Sequence, residues 1–126
     1  MLRKKILLVD DSPTALLMER MLLSRRYDVI TAGDGEAGLA KARAERPDLV
    51  LMDAMMPRLD GYEATRRLRA DGDVGRTPVI MVTTRGEPES VERGYAAGCS
   101  DYVTKPIDGM ELLAKVKDLL GEGEAP

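Results

Sequence analysis

The feature that most constrains this chain is an alternation of two hydrophobic periods. Short apolar runs of strand length recur at Lys5–Val9, Asp28–Ala32, Asp48–Met52, Pro78–Val82 and Asp101–Thr104, each bounded by charge or turn residues. Longer segments with helical spacing separate them. Five strands alternating with five helices predict a parallel sheet, because each parallel crossover carries its helix over a face of the sheet. The middle runs Leu49–Met52 and Val79–Val82 are apolar at every position. A parallel strand covered on both faces needs that pattern.

The helices carry their own punctuation. The first is predicted to start at Ser12-Pro13, a cap followed by proline at the first helical position, with the stripe Leu17, Met18, Met21 and Leu22 facing the sheet. The second follows Asp34-Gly35, carries Ala37, Leu39, Ala40 and Ala42, and stops at Pro47. Asp60 to Glu63 and Asp108 to Glu111 have capping-box spacing and open the third and fifth helices. The fourth runs from near Glu87-Pro88 to Gly98. The fifth has a clean stripe of Leu112, Leu113, Val116, Leu119 and Leu120. Residues 1–120 read as one domain, and residues 121–126 as a flexible tail.

Composition removes several classes of chemistry. The 126 residues contain no histidine, so an imidazole base and a histidine-ligated zinc site are excluded. A single cysteine, Cys99, makes no intrachain disulfide or thiolate cluster and reads as a small buried hydrophobe. There is no Trp or Phe, so a stacking platform for bases or flavin is poorly supplied. Of the four tyrosines, Tyr62 and Tyr95 read as helix-face packing, and the eight methionines as core filler. A net charge of −3 does not suit direct nucleic-acid binding. No run is long enough for a signal segment or membrane insertion, so the cytoplasm is the expected location.

Ligands of open α/β sheets bind beyond the carboxyl ends of the strands. The residues at those ends are Asp10-Asp11, Asp53, Thr83-Thr84 and Lys105-Pro106. An acidic residue after a strand is often only a helix cap. Three carboxylates with a lysine and a threonine at matching strand ends are a different matter, since the anions repel one another and invite a hard divalent cation. Mg²⁺ fits this donor set, because it takes one or two carboxylates, keeps waters and completes its shell with phosphate oxygens.

These residues, in the contexts Ile6–Ser12, Leu51–Pro57 followed by Asp60-Gly61, Thr83, and Asp101–Pro106, resemble the receiver domain of two-component response regulators, in particular its single-domain, chemotaxis-regulator-like members. The resemblance covers residues 4–120. It implies a flavodoxin-like three-layer α/β/α sandwich with strand order 2-1-3-4-5, and a switch that works in two-component signalling, in chemotaxis or motility. Asp53 would take a phosphoryl group from a phospho-histidine on a sensor histidine kinase or phosphotransfer protein. Asp11, Asp53 and the backbone carbonyl of Met55 would hold Mg²⁺ directly, and Asp10 through water. Lys105 would pair with the phosphoryl oxygens, Thr83 would donate its hydroxyl to them, and Tyr102 would swing inward behind Thr83. The Lys105-Pro106 bond would be cis. The face made by residues 87–120 would then change its affinity for a downstream protein.

The physical logic agrees with that picture. Phosphoryl transfer to a carboxylate needs placement and charge neutralisation, so Asp53 is expected to be ionised, beside the metal and open to solvent. The donor histidine has to come from another molecule. Three positions depart from the family pattern. Thr84 stands where Ala or Gly is usual and is expected to slow entry of donors or water. Met55 is often polar in the family, and Arg85 adds a cation near the site; both bear on access.

Four rival readings compete with this one. Gly33–Gly38 matches a dinucleotide fingerprint, but Asp34 and Glu36 put anions where a pyrophosphate would dock. A flavin carrier would need a hydroxyl-rich phosphate loop where Asp10–Pro13 stands. An aspartyl-phosphate phosphatase would need an acid where Met55 stands. The last rival is a pseudo-receiver working without phosphorylation. The chain reads as no enzyme acting on an external substrate, and as a stand-alone switch unless it is a piece of something longer.

Overall fold

The computed structural model describes residues 3–84 and 88–122. Its elements run β1 (Lys5–Val9), α1 (Pro13–Leu23), β2 (Asp28–Ala32), α2 (Gly35–Glu45), β3 (Leu49–Asp53), α3 (Gly61–Ala70), β4 (Val79–Thr83), α4 (Pro88–Ala97), β5 (Asp101–Thr104) and α5 (Gly109–Leu119). All pairings are parallel, and the sheet order is β2-β1-β3-β4-β5. The alternation of periods therefore gives the expected flavodoxin-like α/β/α sandwich. β3 and β4 each run one residue further than the apolar pattern suggested. The ladder continues through the Asp53–Val82 and Thr83–Thr104 register pairs, so a polar last residue still belongs to its strand.

The sheet separates two apolar cores. Leu7, Val9, Val50, Met52 and Met81 point to one side, where α2 and α3 supply Leu39, Ala42, Tyr62 and Leu68. Ile6, Leu8, Leu49, Leu51, Ile80 and Val82 point to the other, where α1 and α5 supply Leu23, Leu112 and Val116. Alternation along each strand produces this division.

The starts of α1, α2, α3 and α5 are capped as the sequence predicts. The Ser12 Oγ accepts from the Ala15 amide, Asp34 Oδ1 from Ala37, Asp60 Oδ1 from Glu63, and Asp108 Oδ1 from Met110 and Glu111. Asp34 thus occupies the start of α2, where the dinucleotide reading would have placed a pyrophosphate. The box at α3 is only half formed, because the Glu63 carboxylate turns to Arg66 and Arg67 instead.

Three packing expectations are corrected. Leu17, Met18 and Met21 of α1 do not face the sheet; they are 58%, 58% and 67% exposed, and the buried positions are Glu19 and Leu23. Apolar residues nearly encircle this helix, and Glu19 masked the stripe that is in fact buried. Tyr95 is exposed, whereas Tyr62 is buried as expected. Of the described methionines, Met52, Met56 and Met81 fill core, but Met18, Met21, Met55 and Met110 face water.

Cys99 is buried, and burial first, then the charge of Asp101, pushes its thiol up to about 11. Within the segment read as a tail, Gly121 and Glu122 are hydrogen-bonded: the Tyr27 hydroxyl donates to Glu122 Oε1 at 2.8 Å, and the Glu122 amide donates to the Lys117 carbonyl. Residues 123–126 of that segment lie outside the described residues.

Candidate functional site

Strand ends build the site. The turn after β1 delivers Asp10 and Asp11, the last residue of β3 is Asp53, that of β4 is Thr83, and Lys105 follows β5. Parallel strands end on the same edge, so residues far apart in sequence meet there. One carboxylate oxygen from each of Asp10, Asp11 and Asp53 lies within 4.8 Å of the others. Lys105 Nζ stands 3.2 Å from Asp10 Oδ2 and 3.5 Å from Asp53 Oδ1. The backbone fixes these positions: the Lys105 amide donates to the Thr83 carbonyl at 2.8 Å, and the Lys105-Pro106 bond is cis. Asp10 is oriented by the Ser12 amide, which donates to its Oδ1 at 2.9 Å.

Gly61 shows why a glycine follows Asp60. A Cβ there would stand 2.1 Å from the Asp53 carbonyl oxygen and 2.9 Å from the Ala54 Cα. The start of α3 therefore packs directly on the backbone of the strand end that carries Asp53. Any larger residue would push the helix or the aspartate aside.

The electrostatics show the strain of clustering acids. Burial, followed by the neighbouring Asp10, pushes Asp53 up to about 6, and Lys105 only partly offsets the shift. Burial pulls Lys105 down, but attraction to Asp53 and Asp10 outweighs it and leaves the ammonium above its usual value. Asp53 is 5% exposed and not open to solvent as expected. It ends a central strand and sits beneath Lys105, whereas Asp11 remains exposed.

The other residues singled out in the sequence lie as follows. Thr83 is buried at the end of β4, and Thr84 beside it is exposed. Met55, 66% exposed, joins both threonines on a cavity of about 410 Å³ that also touches Tyr62 and Arg93. Arg85 lies outside the described residues. Tyr102 is half-buried, with its ring edge-on to Tyr95 at 6.2 Å and Lys115 Nζ 4.9 Å from its centroid.

Two features went unread in the sequence. Arg93 stacks 4.2 Å above the Tyr62 ring, joining α4 to α3. Glu19 is buried near the acid cluster. A cation and a ring thirty-one residues apart leave no local signal, and a lone glutamate in a helix reads as solvent-facing.

Comparison with known proteins decides the family. The model of the response regulator receiver domain matches residues 6–117. The chain belongs to that family. It is 43% identical to protein PilH of Pseudomonas aeruginosa over 92% of this chain and 97% of that protein. The chemotaxis protein CheY4 of Vibrio cholerae superposes with a TM-score of 0.88 at 34% identity, covering 93% of this chain and 98% of that one. The receiver domain of the Pseudomonas aeruginosa sensor histidine kinase PA1611, solved with a magnesium ion coordinated in its active-site cleft, gives 0.85 at 37% identity, covering 94% and 98%. The chain spans about half the length of other curated relatives, which are named as transcriptional regulators. It is a receiver-domain signalling switch. Among the described residues no helix is long and apolar enough to cross a membrane.

Proposed function

We propose that this receiver takes a phosphoryl group onto Asp53 from a phospho-histidine of a sensor histidine kinase or phosphotransfer protein, in the cytoplasm, with Mg²⁺. The observation that carries this reading is the convergence of Asp10, Asp11 and Asp53 within 4.8 Å, with Lys105 reaching two of them. The donor set fits the metal, because every side-chain ligand is a carboxylate oxygen and the cluster has excess negative charge. Asp11, Asp53 and the Met55 carbonyl would hold the ion, with Asp10 acting through water. When bound, the ion neutralises charge on the transferring oxygens and on the acids around them.

The protein's own groups do the rest. An Asp53 carboxylate oxygen attacks phosphorus, the bond from phosphorus to the donor nitrogen breaks, and the imidazole leaves. Asp53 is held up at about 6, so it is mostly ionised at neutral pH and needs no base. Lys105 leaves its contact with Asp53 to pair with the incoming anion, and Thr83 gives its hydroxyl to a phosphoryl oxygen. Tyr102 follows Thr83, and the face of residues 87–120 changes toward a downstream protein. Thr84 and Met55 border the way in, and Arg85 lies next to them in sequence. Residues 1–120 form the receiver unit in this reading, with 121–126 as its tail, and the switch serves chemotaxis or motility.

The test is intact mass after incubation with phosphoramidate and Mg²⁺. A gain of one phosphoryl group is expected, lost in Asp53→Asn and blocked by chelation. Normal partner binding by the chain without any such gain would favour the pseudo-receiver reading. A Thr84→Ala variant is expected to lose its phosphoryl group faster, and an unchanged rate would remove Thr84 from the account.

A further inference from the structure

One buried carboxyl group takes no part in phosphoryl transfer. Glu19 sits in the middle of α1 and is 2% exposed. Among the described residues its carboxyl group makes no hydrogen bond, and the charges that reach it are those of Asp10, Lys105 and Asp53. A cavity of about 180 Å³ opens against it, with apolar walls from Met18 and Leu22 of α1 and from Pro106 and Ile107 after β5. Lys105 borders the same space, but its ammonium is engaged at 3.2 Å by Asp10 and 3.5 Å by Asp53, leaving Glu19 to other donors.

An ionised carboxylate taken largely out of water with no hydrogen-bond donor is costly. Burial, and then the charge of Asp10, push this one up to about 8, and the charge of Lys105 only partly offsets them. A cation entering the cavity would supply a hydrogen-bond donor and, with it, the positive charge that lets this carboxyl group ionise. The volume is below the roughly 300–1,000 Å³ of sites for drug-sized ligands, so the occupant must be short and slender. Its body must be apolar to match the walls.

We propose that this cavity binds a short alkylammonium cation, with the ammonium donating to Glu19 and the hydrocarbon chain lying between Met18, Leu22 and Ile107. A free amine and a lysine side chain of a docked protein offer the same chemistry. The site is distinct from the phosphoryl-transfer reading and is tested without Mg²⁺ or phosphodonor.

The experiment is methyl NMR of the full chain, following Ala15, Leu22 and Ile107 during titration with isopentylamine, isopentanol or Nα-acetyl-lysine amide. Saturable shifts with isopentylamine are expected, and Glu19→Gln should weaken its binding by about tenfold or more because a charge-assisted bond is lost. The alcohol should bind wild type and Glu19→Gln alike. Ala15 also lines the cavity, and Ala15→Leu, which fills it but keeps the carboxyl group, should abolish the shifts, so the test survives if Glu19→Gln does not fold. Binding of isopentylamine alone assigns the site to free amines, and binding of the lysine amide as well extends it to protein side chains. Absence of saturable shifts in wild type, or equal amine binding by wild type and either variant, would overturn the proposal.

Discussion

Helices α1 and α5 cover the same face of the sheet and share one core, yet they use their apolar residues in opposite ways. α5 buries Leu112 and Val116 completely, as its sequence stripe predicts, and keeps Glu111 and Asp118 exposed. α1 leaves Leu17, Met18 and Met21 in water and turns Glu19 inward. α5 is thus built for packing. α1 instead turns a carboxyl group toward the cluster of Asp10, Asp11 and Asp53. The difference teaches that a helix next to a charged site can be placed by its caps and neighbours against its own hydrophobic pattern.

The comparison can be broken by mutation. The largest effect is expected on α5: Leu112→Ala should cost about 2–5 kcal/mol in denaturant unfolding, since a fully buried leucine leaves a cavity. A loss no larger than that at an exposed α1 site would deny α5 its packing role. Glu19 comes next. Its folded value of about 8 lies above the ordinary 4.5, so the protonated form is the one folding favours. Stability tied to it is complete below the ordinary value and is lost as pH rises through about 8. Metal-free wild type should therefore fall behind Glu19→Gln by about 2–4 kcal/mol between acid and mildly alkaline pH. Parallel stability curves for the two would show that Glu19 is not held neutral by burial.

Smaller effects sharpen the contrast. Ser12→Ala and Asp108→Ala each remove an N-cap, and each should cost about 1 kcal/mol in thermal unfolding. Similar values are expected because both helices are started in the same way, whatever face they bury. Leu17→Ala and Met21→Ala should change stability by no more than about 0.5 kcal/mol, as exposed positions do. A loss of several kcal/mol at either would restore the inward stripe read from the sequence.

The same contrast marks where sequence reading works. The fold was legible because strand-length apolar runs, capping residues and the prolines agree with one another, and a parallel sheet then follows from connectivity. The acids and Lys105 were legible because parallel topology puts strand ends together whatever the side chains do. The face of α1 was not, since Leu16, Leu17, Met18, Met21, Leu22 and Leu23 support two stripes and the glutamate pointed to the wrong one. The burial of Asp53 was also hidden. It depends on how far the β3–β4 ladder runs and on Lys105 lying over it, and neither is local in sequence.

The proposed function turns on which atom accepts the phosphoryl group. Borohydride reduction of the phosphoramidate-treated, Mg²⁺-loaded protein, followed by peptide mass mapping, reads that atom directly. The account predicts homoserine in place of aspartate at residue 53 and at no other acidic position. Reduction at Asp10 or Asp11 in its place, or an untouched Asp53 in folded protein, would contradict it.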